Sequence, residues 1–110
     1  MKEAITSRKN PLAQRARAAR DGRERGLVFV EGVRLCEEAL RACVPVELVL
    51  HTRSLAEDAR GASLLESLRE ACPAVHLVGE DVLDSVSDTK TPQGVVALAR
   101  RPETGREVVG

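Results

Sequence analysis

Aromatic side chains are almost absent from this sequence. Phe29 is the single ring in 110 residues, with no Trp and no Tyr. That weighs against the stacking platforms that grip unpaired bases sequence-specifically, and Phe29 itself reads as core. Long hydrophobic runs are missing too. No stretch approaches the ~20 apolar residues of a membrane span, and the charged N-terminus has no signal-peptide run. The three cysteines, an odd number without C-x-x-C, form neither a disulfide framework nor a zinc site. They fit a reducing, cytoplasmic setting. Neither G-x-G-x-x-G nor G-x-x-x-x-G-K-[ST] occurs. The two histidines, His51 and His76, fall on predicted strands without metal-ligand spacing, and no Ser-His-Asp or Cys-His arrangement is visible. No catalytic residue and no metal ligand is assigned.

What the chain does have is arginine, unevenly placed. Net charge is zero overall, which argues against a simple basic nucleic-acid binder. Yet through Arg25 the eight basic residues Lys2, Arg8, Lys9, Arg15, Arg17, Arg20, Arg23 and Arg25 face only Glu3, Asp21 and Glu24, a net of +5, leaving −5 on the remainder. A basic arm that meets an anionic partner explains this asymmetry; an exposed, arginine-rich polar helix explains it equally well. A chain of this length is one domain and buries roughly 65% of its unfolded surface without staples.

The order of elements follows from pattern. Met1 to Asn10 reads as an extended arm. Asn10-Pro11 signals a helix start, Asn as the cap and Pro at the first position. The helix Leu12–Arg20 has only a thin stripe of Leu12, Ala16 and Ala19, so it is expected to pack lightly. Leu27–Val30, continuously apolar, suits a strand covered on both faces. Glu31-Gly32 turns the chain into a second helix, with Val33, Leu35, Cys36, Ala39, Leu40 and Cys43 on its apolar half and Arg34–Glu38 and Glu37–Arg41 as i, i+4 pairs on the wet side. Cys36 and Cys43 are expected to be buried.

A second strand, Val46–His51, places Val46, Leu48 and Leu50 on one face. Capping boxes at Ser54–Glu57 and Ser63–Glu66 predict a helical turn, a break at Gly61 and a helix over 64–71 that buries Leu64, Leu65, Leu68 and Cys72. A third strand (75–78), a short helix opened by Glu80-Asp81 with Val82, Leu83 and Val86 inward, a loop over 87–94 and a fourth strand (95–99) complete the pattern. Thr91-Pro92-Gln93-Gly94 has the composition of a β-turn. The fold class is α/β: a small three-layer α/β/α sandwich around a central four-stranded sheet. Its polar turns are the candidate sites. Glu31-Gly32 suits either a structural carboxylate at a helix start or a contact to an arm arginine. The loop over 88–94, with hydroxyls, an ammonium and an amide, suits either a phosphate or base contact or a plain turn.

Three segments together are specific: Ile5-Thr6-Ser7-Arg8-Lys9-Asn10-Pro11; Phe29-Val30-Glu31-Gly32-Val33-Arg34-Leu35 with Glu38-Ala39-Leu40; and Val86-Ser87-Asp88-Thr89-Lys90-Thr91-Pro92-Gln93-Gly94-Val95-Val96-Ala97. In order and spacing the chain resembles the N-terminal substrate-binding domain of the SpoU (TrmH) family of RNA ribose 2′-O-methyltransferases, from about Lys2 to Arg101. The resemblance implies a fold like that of kink-turn-binding ribosomal proteins. It implies an RNA partner, ribosomal or transfer, contacted through Arg8, Lys9, Asn10, Arg15, Arg17 and Arg20, through Glu31, Gly32 and Arg34, and through Thr89, Lys90, Thr91, Gln93 and Gly94. It divides the chain into an RNA substrate-binding domain over 1–101, with the basic arm and first helix in 1–25, and the start of a linker over 102–110. A C-terminal knotted domain that binds S-adenosylmethionine, transfers the methyl group and dimerises would follow. None of that domain's motifs is present here, so the chain by itself is expected to bind no cofactor, to catalyse nothing and to be a monomer. A different class of function, an interdomain spacer making only protein contacts, stays open beside this one.

Overall fold

The Asn10-Pro11 signal is realised as expected. In the computed structural model, which describes residues 4–101, the Asn10 side chain accepts the Leu12 N–H at 2.8 Å and Pro11 opens α1 (Pro11–Arg20). The expected linker over 102–110 and Lys2 of the arm lie outside the described residues. The chain continues through β1 (Leu27–Glu31), α2 (Val33–Arg41), β2 (Val46–His51), a 3-10 turn (Arg53–Glu57), α3 (Ala59–Ala71), β3 (Val75–Leu77), α4 (Glu80–Val86) and β4 (Val95–Arg100).

The four strands form one mixed sheet in the order β1-β4-β2-β3. β4 runs antiparallel to both β1 and β2, and β3 is parallel to β2. One face carries α1 and α4 over Leu48, Leu50, Val96 and Leu98. The other carries α2 and α3 over Val46, Val49, Val95 and Ala97. Three layers therefore form, as the strand-helix alternation predicts. The strands buried on both faces are β2 and β4; β1, at the sheet edge, is half-buried beyond Leu27.

Several sequence expectations give way to tertiary packing. Val46 does not share a face with Leu48 and Leu50. The pairing steps from Val46↔Ala99 to Leu48↔Leu98, so Glu47 is an extra residue, a β-bulge that reverses the alternation. Gly61 breaks nothing. It lies in the first turn of α3, capped by Asp58 rather than by either predicted box, and a Cβ there would stand 1.8 Å from the Leu55 carbonyl oxygen of the 3-10 turn. α1 does not pack lightly, because Ala13, Ala16 and Ala19 are all buried, Ala16 at 0% exposure.

Two further corrections concern α2. Cys43 is exposed, beyond the helix end at φ 59°, whereas Cys36 is buried and its thiol is pushed up to about 12, chiefly by that burial. Glu37 pairs with Arg60 of α3 at 2.7 Å instead of with Arg41; Arg34–Glu38 forms as expected at 3.5 Å. Among the described residues no helix is long and apolar enough to cross a membrane.

Candidate functional site

Antiparallel pairing of β4 with β1 and β2 brings three polar turns to one end of the sheet. Glu31 faces Val96 and His51 faces Val95, so the loop entering β4 passes between the Glu31-Gly32 turn and the turn at Thr52. The loop is tied along its length. Glu31 accepts the Ser87 hydroxyl on one carboxylate oxygen and the Asp88 N–H on the other, at 2.8 Å. Gln93 Oε1 accepts the Val33 N–H at 2.9 Å, which makes it the cap of α2 from sixty residues away. The Gly32 N–H donates to Val95 O and the Thr52 N–H to Gly94 O. Gly32 at φ 99° and Gly94 at φ 86° are needed here: a Cβ would meet Gln93 Oε1 at 3.0 Å or Thr52 Oγ1 at 2.8 Å, and both backbones are in the left-handed region. Thr91 and Gly94 are bends, and no hydrogen bond runs from the Gly94 N–H to the Thr91 carbonyl.

Between the Glu31-Gly32 turn and the loop lies a cleft of about 460 Å³, lined by Phe29, Glu31, Gly32, Leu35, Asp88, Thr89, Thr91 and Gln93. Glu31, Gly32, Thr89, Thr91 and Gln93 of the expected site thus meet at one place, with Lys90 exposed on the same loop and Gly94 buried beside Thr52. Phe29, read as core, Leu35, read as part of the apolar half of α2, and Asp88, read as the start of the contact loop, also line it; none of the three was named as a contact residue. The available signal was positional: Phe29 and Leu35 flank the Glu-Gly turn, and Asp88 opens the loop.

The arginines divide differently. Arg17 donates to Ser85 Oγ at 3.0 Å and to the Arg8 carbonyl at 2.6 Å. Arg20 donates to the last carbonyls of α4, Ser85 and Val86, at 3.0 and 3.1 Å, and pairs with Asp21. The Asp21 carboxylate raises the Arg20 pKa, with smaller contributions from Asp88 and Glu31. Arg17 and Arg20 therefore anchor the helix end from which the loop departs, and they draw Arg8 beside it. Arg8 and Lys9 are exposed. Arg34 stands on the first turn of α2, paired with Glu38. Arg15 is not part of this group. It pairs at 3.4 Å with Glu47, which also binds Arg100, at the opposite end of the strands. Asn10 is occupied as the helix cap. Among the described residues no cluster of three His, Cys, Asp or Glu is placed to hold a metal ion.

Residues 29–105 match the family described as RNA 2′-O ribose methyltransferase substrate binding. A crystal structure of an RNA 2′-O ribose methyltransferase superposes with a TM-score of 0.71 at 28% identity, over 92% of this chain and 38% of that one. An rRNA methyltransferase from Sinorhizobium meliloti shares the fold, with a TM-score of 0.71 at 19% identity over 91% of this chain and 37% of its own. The SpoU methyltransferase AviRb from Streptomyces viridochromogenes, solved with the cofactor AdoMet, gives 0.60 at 26% identity over 82% of this chain and 31% of that one. The chain thus spans less than two-fifths of the length of each. No curated protein sequence matches it. With the family match covering most of the chain and a fold shared with SpoU-type enzymes, the chain belongs to the substrate-binding family of RNA 2′-O ribose methyltransferases.

Proposed function

We propose that this chain is the RNA-recognition part of an S-adenosylmethionine-dependent ribose 2′-O-methyltransferase, holding folded RNA, ribosomal or transfer, for a catalytic domain elsewhere in a longer protein. The observation that carries this reading is the tethered loop. Its ends are fixed by Glu31 and Gln93, while Thr89, Lys90 and Thr91 between them stay exposed, and Arg17 ties the exposed Arg8 to Ser85 in the helix before the loop. A loop ordered before binding presents donors and charge without an ordering cost, and exposed cations at its base neutralise phosphates. S-adenosylmethionine, which donates the methyl group, is assigned to the catalytic domain. Cytoplasmic action and dimerisation through the catalytic domain are parts of the same proposal.

The test is a titration of the chain with a folded ribosomal RNA hairpin, followed by NMR at low and near-physiological salt. Contact with about four phosphates gives a log–log salt slope near −4. Arg8→Ala and Lys9→Ala are each expected to weaken binding and to make that slope shallower by about one. Unchanged affinity and slope in both would remove the arm from the interface. The commitment of Arg17 and Arg20 to α4 favours a second reading, a spacer contacting only its own C-terminal domain. That reading predicts no chemical-shift changes at either salt.

A further inference from the structure

Three features a ligand could use meet at the 460 Å³ cleft. Phe29, the chain's sole aromatic, forms part of its wall. So does Leu35, which at 53% exposure is the one exposed large apolar side chain among the described residues. Together they give the concavity an apolar wall, as ligand pockets have. The third feature is Asp88. Its backbone N–H is tied to Glu31, but its carboxylate makes no hydrogen bond or ion pair among the described residues. The neighbouring Glu31 carboxylate, by contrast, is engaged at both oxygens. Gln93 gives its oxygen to Val33, and its NH2 has no partner among the described residues.

The occupant these features fit has a flat apolar face and a hydrogen-bonding edge rich in donors. The volume lies at the small end of ligand sites, about 300–1,000 Å³, room for one heterocycle and its ribose but not for a duplex. Among the RNA bases only guanine offers two adjacent N–H donors, N1–H and N2–H2, spaced to meet the two oxygens of one carboxylate. Its O6 is an acceptor for an amide NH2 such as that of Gln93. Adenine and cytosine present one donor group each on that edge, and uracil a single N–H.

We propose that this cleft receives one unpaired guanine of the RNA substrate, its face against Phe29 and Leu35 and its N1–H and N2–H2 donating to the Asp88 carboxylate. The proposal rests on the RNA-recognition reading and adds a base-specific contact to it. Lys90 and the arm supply phosphate contacts that carry no sequence information; Asp88 is where base identity is read.

The experiment measures polarisation of labelled RNA hairpins binding the 110-residue chain. The hairpins differ at one loop position, bearing guanine, inosine, adenine, uracil or cytosine. Guanine is expected to bind on the order of tenfold more tightly than adenine, uracil or cytosine, with inosine, which lacks the N2 amino group, in between. Asp88→Asn, which keeps the backbone tie to Glu31, is expected to erase the preference and leave salt-sensitive binding. Leu35→Ser is expected to weaken all five hairpins without changing their order. Equal affinity for all five, or a preference that survives Asp88→Asn, overturns the guanine cleft and leaves RNA recognition standing. No binding by any hairpin at either low or near-physiological salt overturns both.

Discussion

The two faces of the sheet solve the same packing problem with opposite materials. Under α3 the contact is made by volume. Leu64, Leu65 and Leu68 fill the space above Val49, Val95 and Ala97. Under α1 it is made by close approach. Ala13, Ala16 and Ala19 bring the helix backbone down onto the sheet, while Arg17 and Arg20 reach across to the end of α4. Small side chains bury little apolar area, at about 25 cal/mol per Å², so on the α1 face the volume comes from Leu48, Leu50 and Leu98 of the sheet and Val82, Leu83 and Val86 of α4, and the guanidinium bonds of Arg17 and Arg20 fasten α1 to α4. The arginines that read as an RNA-binding stripe are, for Arg17 and Arg20, the fastening of a thin layer.

This contrast is open to direct tests by denaturant unfolding. The largest effect is expected from Leu68→Ala, at 0% exposure, which opens a cavity on the leucine face and costs about 3 kcal/mol. Next is Ala16→Leu, which wedges α1 off the sheet and costs about 2 kcal/mol through overpacking; a neutral result would show that α1 has slack and break the comparison. Arg20→Ala is smaller, about 1 kcal/mol, because the bonds it loses are partly solvated. It is also expected to raise amide exchange over 87–94, which Leu68→Ala does not.

The smallest effect is electrostatic. Burial holds the His51 pKa below its ordinary 6.5. The folded imidazole stays neutral where the unfolded one takes up a proton. Stability therefore declines as pH falls below about 6.5 and levels off beneath the folded pKa. His51→Gln is expected to flatten that segment in thermal melts between about pH 7.5 and 5.5.

Local signals carried much of this fold. The Asn10-Pro11 cap, the apolar run into Glu31-Gly32 and the acidic start of α4 each specify their element within a few residues, and the structure agrees with all three. What pattern missed depends on distant neighbours. No alternation rule reveals that Glu47 is supernumerary until β4 is laid beside it. Gly61 looks like a stop until the Leu55 carbonyl is seen where its Cβ would be. The site shows the same division. Glu31, Gly32 and the 88–94 loop were legible as polar turns one by one. That Glu31 holds Ser87 and Asp88, and that Gln93 caps α2, follows only from strand order.

One small contact covers part of a sheet edge. Ile5 pairs in parallel with Val78, its N–H donating to Leu77 O and its carbonyl accepting from Gly79 N. The arm thereby closes the C-terminal end of β3's open side, while β1 is left as the bare edge at the other side of the sheet. A sheet with one sticky edge can at most form pairs; a sheet with two can propagate without end. Removing residues 4–9 would uncover that end of β3 and leave backbone groups open on both sides of the sheet, so the arm covers part of an edge as well as carrying charge.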